Sequence, residues 1–161
     1  IEDINQNLIV VCDLGREEEV LTRLARVGYT QVIGVLEGGF ESWKRSEKPI
    51  ASIENIDVQD LKTKLETVEV LDVRKPGEFN AQHLDSSCLT YISLDDLQIK
   101  ADQLEDSKTY FTHCAGGYRS VIAISILKSM GKHQFVNVLG GFGSMRKADF
   151  PMLEATCSSQ V

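Results

Sequence analysis

The stretch Lys108–Gly131, KTYFTHCAGGYRSVIAISILKSMG, decides how the rest of the chain is read. A β-type run from Thr109 to Thr112 leads into Cys114, followed by Gly116 and Gly117, then Arg119 and Ser120, then an apolar run from Val121 to Met130. This order predicts a strand, a tight loop and a helix. It sets the cysteine sulfur at a helix N-terminus, ringed by backbone N–H groups that favour negative charge. Such surroundings lower a thiol pKa from its usual value near ~8.5 and produce a thiolate nucleophile. The two glycines let loop backbone turn inward with no Cβ in the way. A buried strand-end cysteine before an ordinary turn is the plainer alternative, but the cysteine, glycine pair, arginine and helix start arriving together favour a reactive loop.

Working outward, Leu71-Asp72-Val73-Arg74 and Glu78-Phe79 precede this stretch, and Leu139-Gly140-Gly141-Phe142 follows it. With Cys114-Ala115-Gly116-Gly117-Tyr118-Arg119-Ser120, these motifs resemble a rhodanese domain over about Ile56 to Pro151. The resemblance implies a three-layer α/β/α fold around a central parallel sheet. Strands alternating with helices point independently to a parallel sheet covered on both faces. In such sheets, sites form beyond the C-terminal strand ends, where Cys114 is expected.

The resemblance also implies chemistry. A rhodanese passes a sulfane sulfur from thiosulfate or a persulfide to a thiol or cyanide through a cysteine persulfide, here on Cys114. It implies no cofactor. The N–H groups of Ala115, Gly116, Gly117, Tyr118, Arg119 and Ser120 are expected to hold the persulfide anion. Arg119 would bind the anionic donor or brace the loop, and Tyr118 would line the entrance. Asp72 and Arg74 match the family's D-V-R segment. Asp72 is expected to bond loop N–H groups and Arg74 to pair with Glu78. His83, in Q-H-L-D-S-S where the family has G-H-I-x-G-A, is expected to be a hydrogen-bonded structural histidine. Cysteine phosphatases share the fold but place five residues between cysteine and arginine; here there are four, a smaller ring that suits a persulfide better.

The loop's surroundings repeat earlier in the chain. Residues 12–43, CDLGR…RVGYTQVIGVLEGGFESW, can be laid over 114–145, CAGGYR…SMGKHQFVNVLGGFGSM. Cys12 falls on Cys114, Gly28 on Gly131, and Gly38-Gly39-Phe40 on Gly140-Gly141-Phe142. A repeat of this length signals a duplicated supersecondary unit. Strands are expected over Leu8–Cys12 and Val32–Leu36, and a helix over Arg16–Val27 ended by Gly28. A short helix carrying Trp43 follows. Residues 1–50 thus resemble the C-terminal half of a degenerate rhodanese-like domain, with 51–55 a linker, 56–151 the domain with an intact loop, and 152–161 a tail. Asp13 and Glu17-Glu18-Glu19 near Cys12 would raise a thiol pKa and repel an anionic donor, so Cys12 is expected to be inert.

In the second copy, Asp57 is expected to cap a helix over Val58, Leu61 and Leu65. A strand is expected over Val68–Val73, another over Cys88–Tyr91, and one helix over Leu94–Leu104. Cys88 is expected in a core strand and Cys157 in the tail. Met145 stands where the first copy has Trp43.

The 161 residues carry a net charge of −7 and 42% hydrophobic residues. The acidic balance argues against nucleic acid and anionic membranes as partners, and no apolar run reaches the ~18 residues of a membrane span. Four widely spaced cysteines without C-x-x-C fit neither a disulfide framework nor a zinc ribbon, so a reducing cytoplasm and no metal are expected. The opening IEDINQN is unlike a signal peptide, and a start at Ile suggests a fragment. Similar rhodanese pairs occur behind metallo-β-lactamase-type persulfide dioxygenases. The expected partners are therefore a small sulfur donor, a thiol acceptor and a missing N-terminal domain. The competing reading is an accessory sulfur carrier within such a protein.

Overall fold

Alternation of apolar strands with amphipathic segments produces two units in the computed structural model, which describes residues 3–154. They divide after Ala51. The first unit contains β1 (Leu8–Val10), α1 (Glu17–Arg26), β2 (Val32–Val35) and α2 (Gly39–Arg45), with β1 and β2 parallel. The acidic first turn of α1 complements the helix dipole, and Arg16–Glu19 (3.0 Å) and Arg23–Glu19 (2.7 Å) link its exposed face. No residue of α1 is buried, and Ile9 and Ile33 lie 69% and 64% exposed.

The second unit runs β3 (Glu54–Ile56), α3 (Val58–Lys62), β4 (Glu69–Asp72), α4 (Pro76–Ala81), β5 (Gln82–Leu84), β6 (Leu89–Tyr91), α5 (Leu97–Lys100), β7 (Tyr110–His113), α6 (Tyr118–Ser129), β8 (Phe135–Val138), α7 (Gly141–Lys147) and β9 (Met152–Glu154). Asp57 caps α3 by accepting from the Gln59 N–H at 2.8 Å. Five strands form an all-parallel sheet in the order β3-β8-β7-β4-β6. Neighbouring residues of β4 enter different cores, because strand side chains alternate. Leu71 joins Leu97, Ala123, Ile124 and Leu127 on one face; Val70 joins Leu61, Val138, Phe142 and Met145 on the other. The chain is therefore α/β, with helices on both sides of a central parallel sheet. Because β4 and β7 are adjacent and in register from Glu69↔Tyr110 to Asp72↔His113, their C-terminal ends open together under the Cys114 loop.

The two units share their local design. The order β1-α1-β2-α2 repeats as β7-α6-β8-α7. Gly39 has φ +58° and Gly141 φ +55°. A Cβ at Gly39 would strike the Cys12 carbonyl, and one at Gly141 the Cys114 carbonyl, so both copies require the same close backbone approach.

Four expectations about elements need correction. Leu94–Leu104 is not one helix: α5 covers only Leu97–Lys100, between 3₁₀ turns at Leu94–Asp96 and Ala101–Gln103. Leu97, Ala101 and Leu104 are all buried in the core. Residues 152–154, expected in the tail, form β9, which pairs antiparallel with β5 from Gln82↔Glu154 to Leu84↔Met152. Glu54–Ile56, placed at the linker boundary, is an edge strand on β8. Cys88, expected to begin a core strand, is instead half-buried in the turn before β6, which starts at Leu89. Cys157 lies outside the described residues.

Candidate active site

The loop after β7 is turned inside out by its neighbours. The Cys114 carbonyl accepts from the Phe142 N–H at 2.7 Å, and the Ala115 carbonyl from the Gly143 N–H at 3.0 Å. With its carbonyls drawn toward α7, the loop directs N–H groups at the sulfur. Gly117 N–H donates to Cys114 Sγ at 3.1 Å. Gly117 adopts φ +109°, in the left-handed region that glycine tolerates without strain. Ser120 Oγ lies 3.6 Å from Sγ and 3.1 Å from the Gly117 carbonyl.

Cys114 is only 1% exposed. Burial is the largest single influence on its thiol and opposes ionisation. The Ser120 hydroxyl and the N–H groups of Ser120, Gly117 and Gly116 together outweigh burial and hold the pKa below the ordinary thiol value. These groups shift the balance toward the thiolate on a buried sulfur, the direction a nucleophile needs.

Of the residues expected around the sulfur, Gly116, Gly117 and Ser120 are turned toward it, whereas Ala115 is anchored to α7 through its carbonyl. Tyr118 begins α6 and is 88% exposed. Arg119 grips Glu78 through two bonds, Nη1 to Oε2 at 2.6 Å and Nη2 to Oε1 at 2.9 Å. Glu78 Oε2 also accepts from the Lys75 N–H at 3.1 Å. The Arg119 hydrogen bonds hold the Glu78 pKa down at about 2, against the opposing effect of burial. Between the two roles open for Arg119, this geometry is that of a brace from α6 to α4.

Asp72 and Arg74 differ from expectation. Arg74 pairs with Asp72 rather than with the Glu78 carboxylate, which Arg119 occupies. Arg74 Nη2 and Nε reach Asp72 Oδ2 at 2.6 and 2.9 Å, and Nε reaches Oδ1 at 3.0 Å. Asp72 also accepts from the Arg74 N–H at 2.9 Å rather than from N–H groups of the Cys114 loop. The cause is position: the carboxylate is fully buried at the end of β4, and the chain turns immediately so that Arg74 folds back over it. Arg74 Nη2 also donates to the Gln82 carbonyl at 2.9 Å, and its guanidinium carbon lies 3.7 Å from the centre of the Phe142 ring. The pair therefore ties the end of β4 to β5 and to α7, which in turn holds the loop.

His113 is fully buried on the face opposite Cys114, stacked on Phe142. Burial dominates and pushes its pKa down. His83 Nδ1 lies 3.1 Å from the Phe79 carbonyl and its ring stacks on Phe79, a structural arrangement. No group of three or more metal-binding side chains occurs among the described residues. No helix among them is long and apolar enough to cross a membrane.

Two parts of the site escaped the sequence reading. The Gly-Gly-Phe motif was visible, and only the fold shows that the N–H groups of Phe142 and the following Gly143 orient the loop. A groove of about 590 Å³ beside Gly116 and Gly117, walled by Tyr118, Val121, Ile122 and Leu139, had no local signal.

The sequence model of the "Rhodanese-like domain" family matches residues 1–46 and 57–148. A Bacillus subtilis protein named for a sulfur-carrier role, YrkF, is 27% identical over 101 residues; the match covers 61% of this chain and 54% of YrkF. The chain thus spans about half the length of that curated relative. Among solved structures, a rhodanese-related protein from Thermoplasma volcanium is 31% identical, with TM-score 0.57, covering 62% of this chain and 97% of that one. A rhodanese-like domain protein from Staphylococcus aureus is 27% identical, with TM-score 0.53, covering 58% and 91%.

Proposed function

Since the chain belongs to the rhodanese-like domain family, we propose that it is a sulfurtransferase working through a persulfide on Cys114. The Cys114 thiolate attacks the outer sulfur of a donor, the donor's S–S bond breaks, and sulfite or a thiolate leaves. Cys114–S–S⁻ remains. An acceptor thiolate or cyanide then attacks the terminal sulfur, the new S–S bond breaks, and the Cys114 thiolate is regenerated with a persulfide or thiocyanate as product. No electrons enter or leave overall. The observation that carries this reading is the inverted loop, whose N–H groups and Ser120 hydroxyl favour negative charge on Cys114. The same donors, fixed before the sulfur arrives, would stabilise the persulfide anion as an oxyanion hole stabilises oxygen.

Cys12, Cys88 and Cys114 are free thiols, which suits a reducing cytoplasm. In the second unit β7 lies between β8 and β4, whereas among the described residues β1 has only β2 beside it. Completion of that edge by a further domain of the same protein belongs to this proposal.

A second reading, an accessory sulfur-carrier module of a larger persulfide-metabolising protein, draws support from the name of the B. subtilis relative. Thiocyanate production separates the two. The enzyme reading expects catalytic turnover with a sulfur donor and cyanide that disappears in Cys114→Ser. At most one thiocyanate per chain, from preloaded protein, supports the carrier.

A further inference from the structure

We infer that the groove beside the Cys114 loop binds the organic part of the sulfur donor or acceptor, and that it takes an uncharged apolar chain. This inference rests on the sulfur-transfer reading above and names the substrate class for the same site.

The case begins with α6. Its residues Ser120, Ala123, Ile124 and Leu127 are buried, which satisfies the core. Yet Tyr118, Val121 and Ile122, at i, i+3 and i+4, point outward and are 88%, 38% and 50% exposed. An outward apolar stripe beside an active loop contributes nothing to the core, and such patches mark binding surfaces. Leu139, 48% exposed at the end of β8, forms the facing wall, and Gly116 and Gly117 form the end nearest the sulfur. Gly117, whose N–H bonds Sγ, also lines the groove, which places the groove beside the cradle.

Charge then limits the ligand. No charged residue lines the groove. Its polar content includes a neutral amide pair, Asn137 Nδ2 donating to Asn55 Oδ1 at 2.8 Å. Arg119 is bound at both guanidinium ends by Glu78, and Arg74 is buried against Asp72. The exposed cations of α7, Arg146 and Lys147, line a separate hollow with Gly143. A small dianion gains little here, whereas an alkyl chain loses water at each methylene. Size decides between a small molecule and a protein surface. The groove volume lies within the range for small-molecule sites, and a buried Cys114 admits a slender thiol more readily than a bulky one.

The test loads Cys114 from glutathione persulfide, confirms the added sulfur by intact mass, and follows its transfer to ethanethiol, propanethiol, butanethiol and hexanethiol. These thiols differ little in nucleophilicity and mainly in apolar length. The rate constant is expected to rise about fourfold per added methylene, the factor implied by burying one CH₂, until the groove is full. In Ile122→Asp the ratio of butanethiol to ethanethiol rates should collapse from about fifteenfold toward one. Sulfur transferred at rates indifferent to chain length would overturn the groove assignment alone. A chain that takes up no sulfur from any donor would overturn the sulfur-transfer reading and the groove assignment with it.

Discussion

Replacing Gly141 with alanine tests whether α7 holds the loop in its inverted form. Gly141 sits at φ +55°, a conformation that costs an L-residue about 1–2 kcal/mol. The new Cβ would also meet the Cys114 carbonyl, with the Ala115 carbonyl 3.0 Å away. Both obstacles are backbone atoms, so no flexible side chain can swing aside. Moving the Cys114 carbonyl breaks its buried bond from the Phe142 N–H, which adds about 1–3 kcal/mol. The expected loss is about 2–5 kcal/mol. Gly131→Ala is the control: φ is +86° but nothing lies within 4 Å of the added Cβ, so only the conformational cost of about 1–2 kcal/mol applies. At about 4 °C per kcal/mol for a unit of this size, thermal unfolding should separate the variants by about 4–12 °C. Alkylation of Cys114 should slow in Gly141→Ala alone, because the N–H groups no longer converge on Sγ. Equal destabilisation by the two substitutions, or unchanged alkylation in Gly141→Ala, would refute the anchoring argument.

Other expectations follow from the same contacts. Asp72→Ala leaves the Arg74 guanidinium buried without its counter-charge, so chemical denaturation should show a loss of about 3–5 kcal/mol. Ser120→Ala removes a hydroxyl that favours the thiolate; the Cys114 pKa should rise, and iodoacetamide alkylation near pH 7 should slow about tenfold, read from a pH–rate profile. Glu78, held at about 2 by Arg119, contributes stability that is present above the ordinary carboxylate pKa and lost as pH falls through about 2. An NMR titration should find that carboxyl still ionised at pH 3, and in Arg119→Met it should titrate at higher pH. His113 is buried with a lowered pKa, so below its unfolded value of about 6.5 the unfolded state binds more protons. Stability should therefore fall as pH drops below that value, and His113→Gln should reduce the slope.

The parts of this account that were legible in the sequence are those encoded locally. Cys114 to Ser120 carries its own turn, its glycines and its helix start within a few residues, and Asp57 caps the helix that follows it directly. The pairing of Arg119 with Glu78 spans 41 positions, and nothing in either neighbourhood distinguishes it from pairing of Glu78 with Arg74. Only the adjacency of β4 and β7 brings α4 and α6 together. β9 was missed because Met152-Leu153-Glu154 is three residues long and exists by pairing with β5, 70 residues away. The helix expected over Leu94–Leu104 had the right apolar spacing, and Leu97, Ala101 and Leu104 are buried, but its ends are 3₁₀ turns. The groove was hidden because Val121 and Ile122 read as core residues within an apolar run, and burial assigns the core to Ala123, Ile124 and Leu127 instead.

The central claim is a persulfide on Cys114, and intact mass spectrometry after brief treatment with thiosulfate and, separately, glutathione persulfide tests it most directly. The account predicts a gain of one sulfur, about 32 Da, removed by a thiol or cyanide and absent from Cys114→Ser. An unchanged mass with both donors, or the same gain in Cys114→Ser, would contradict it.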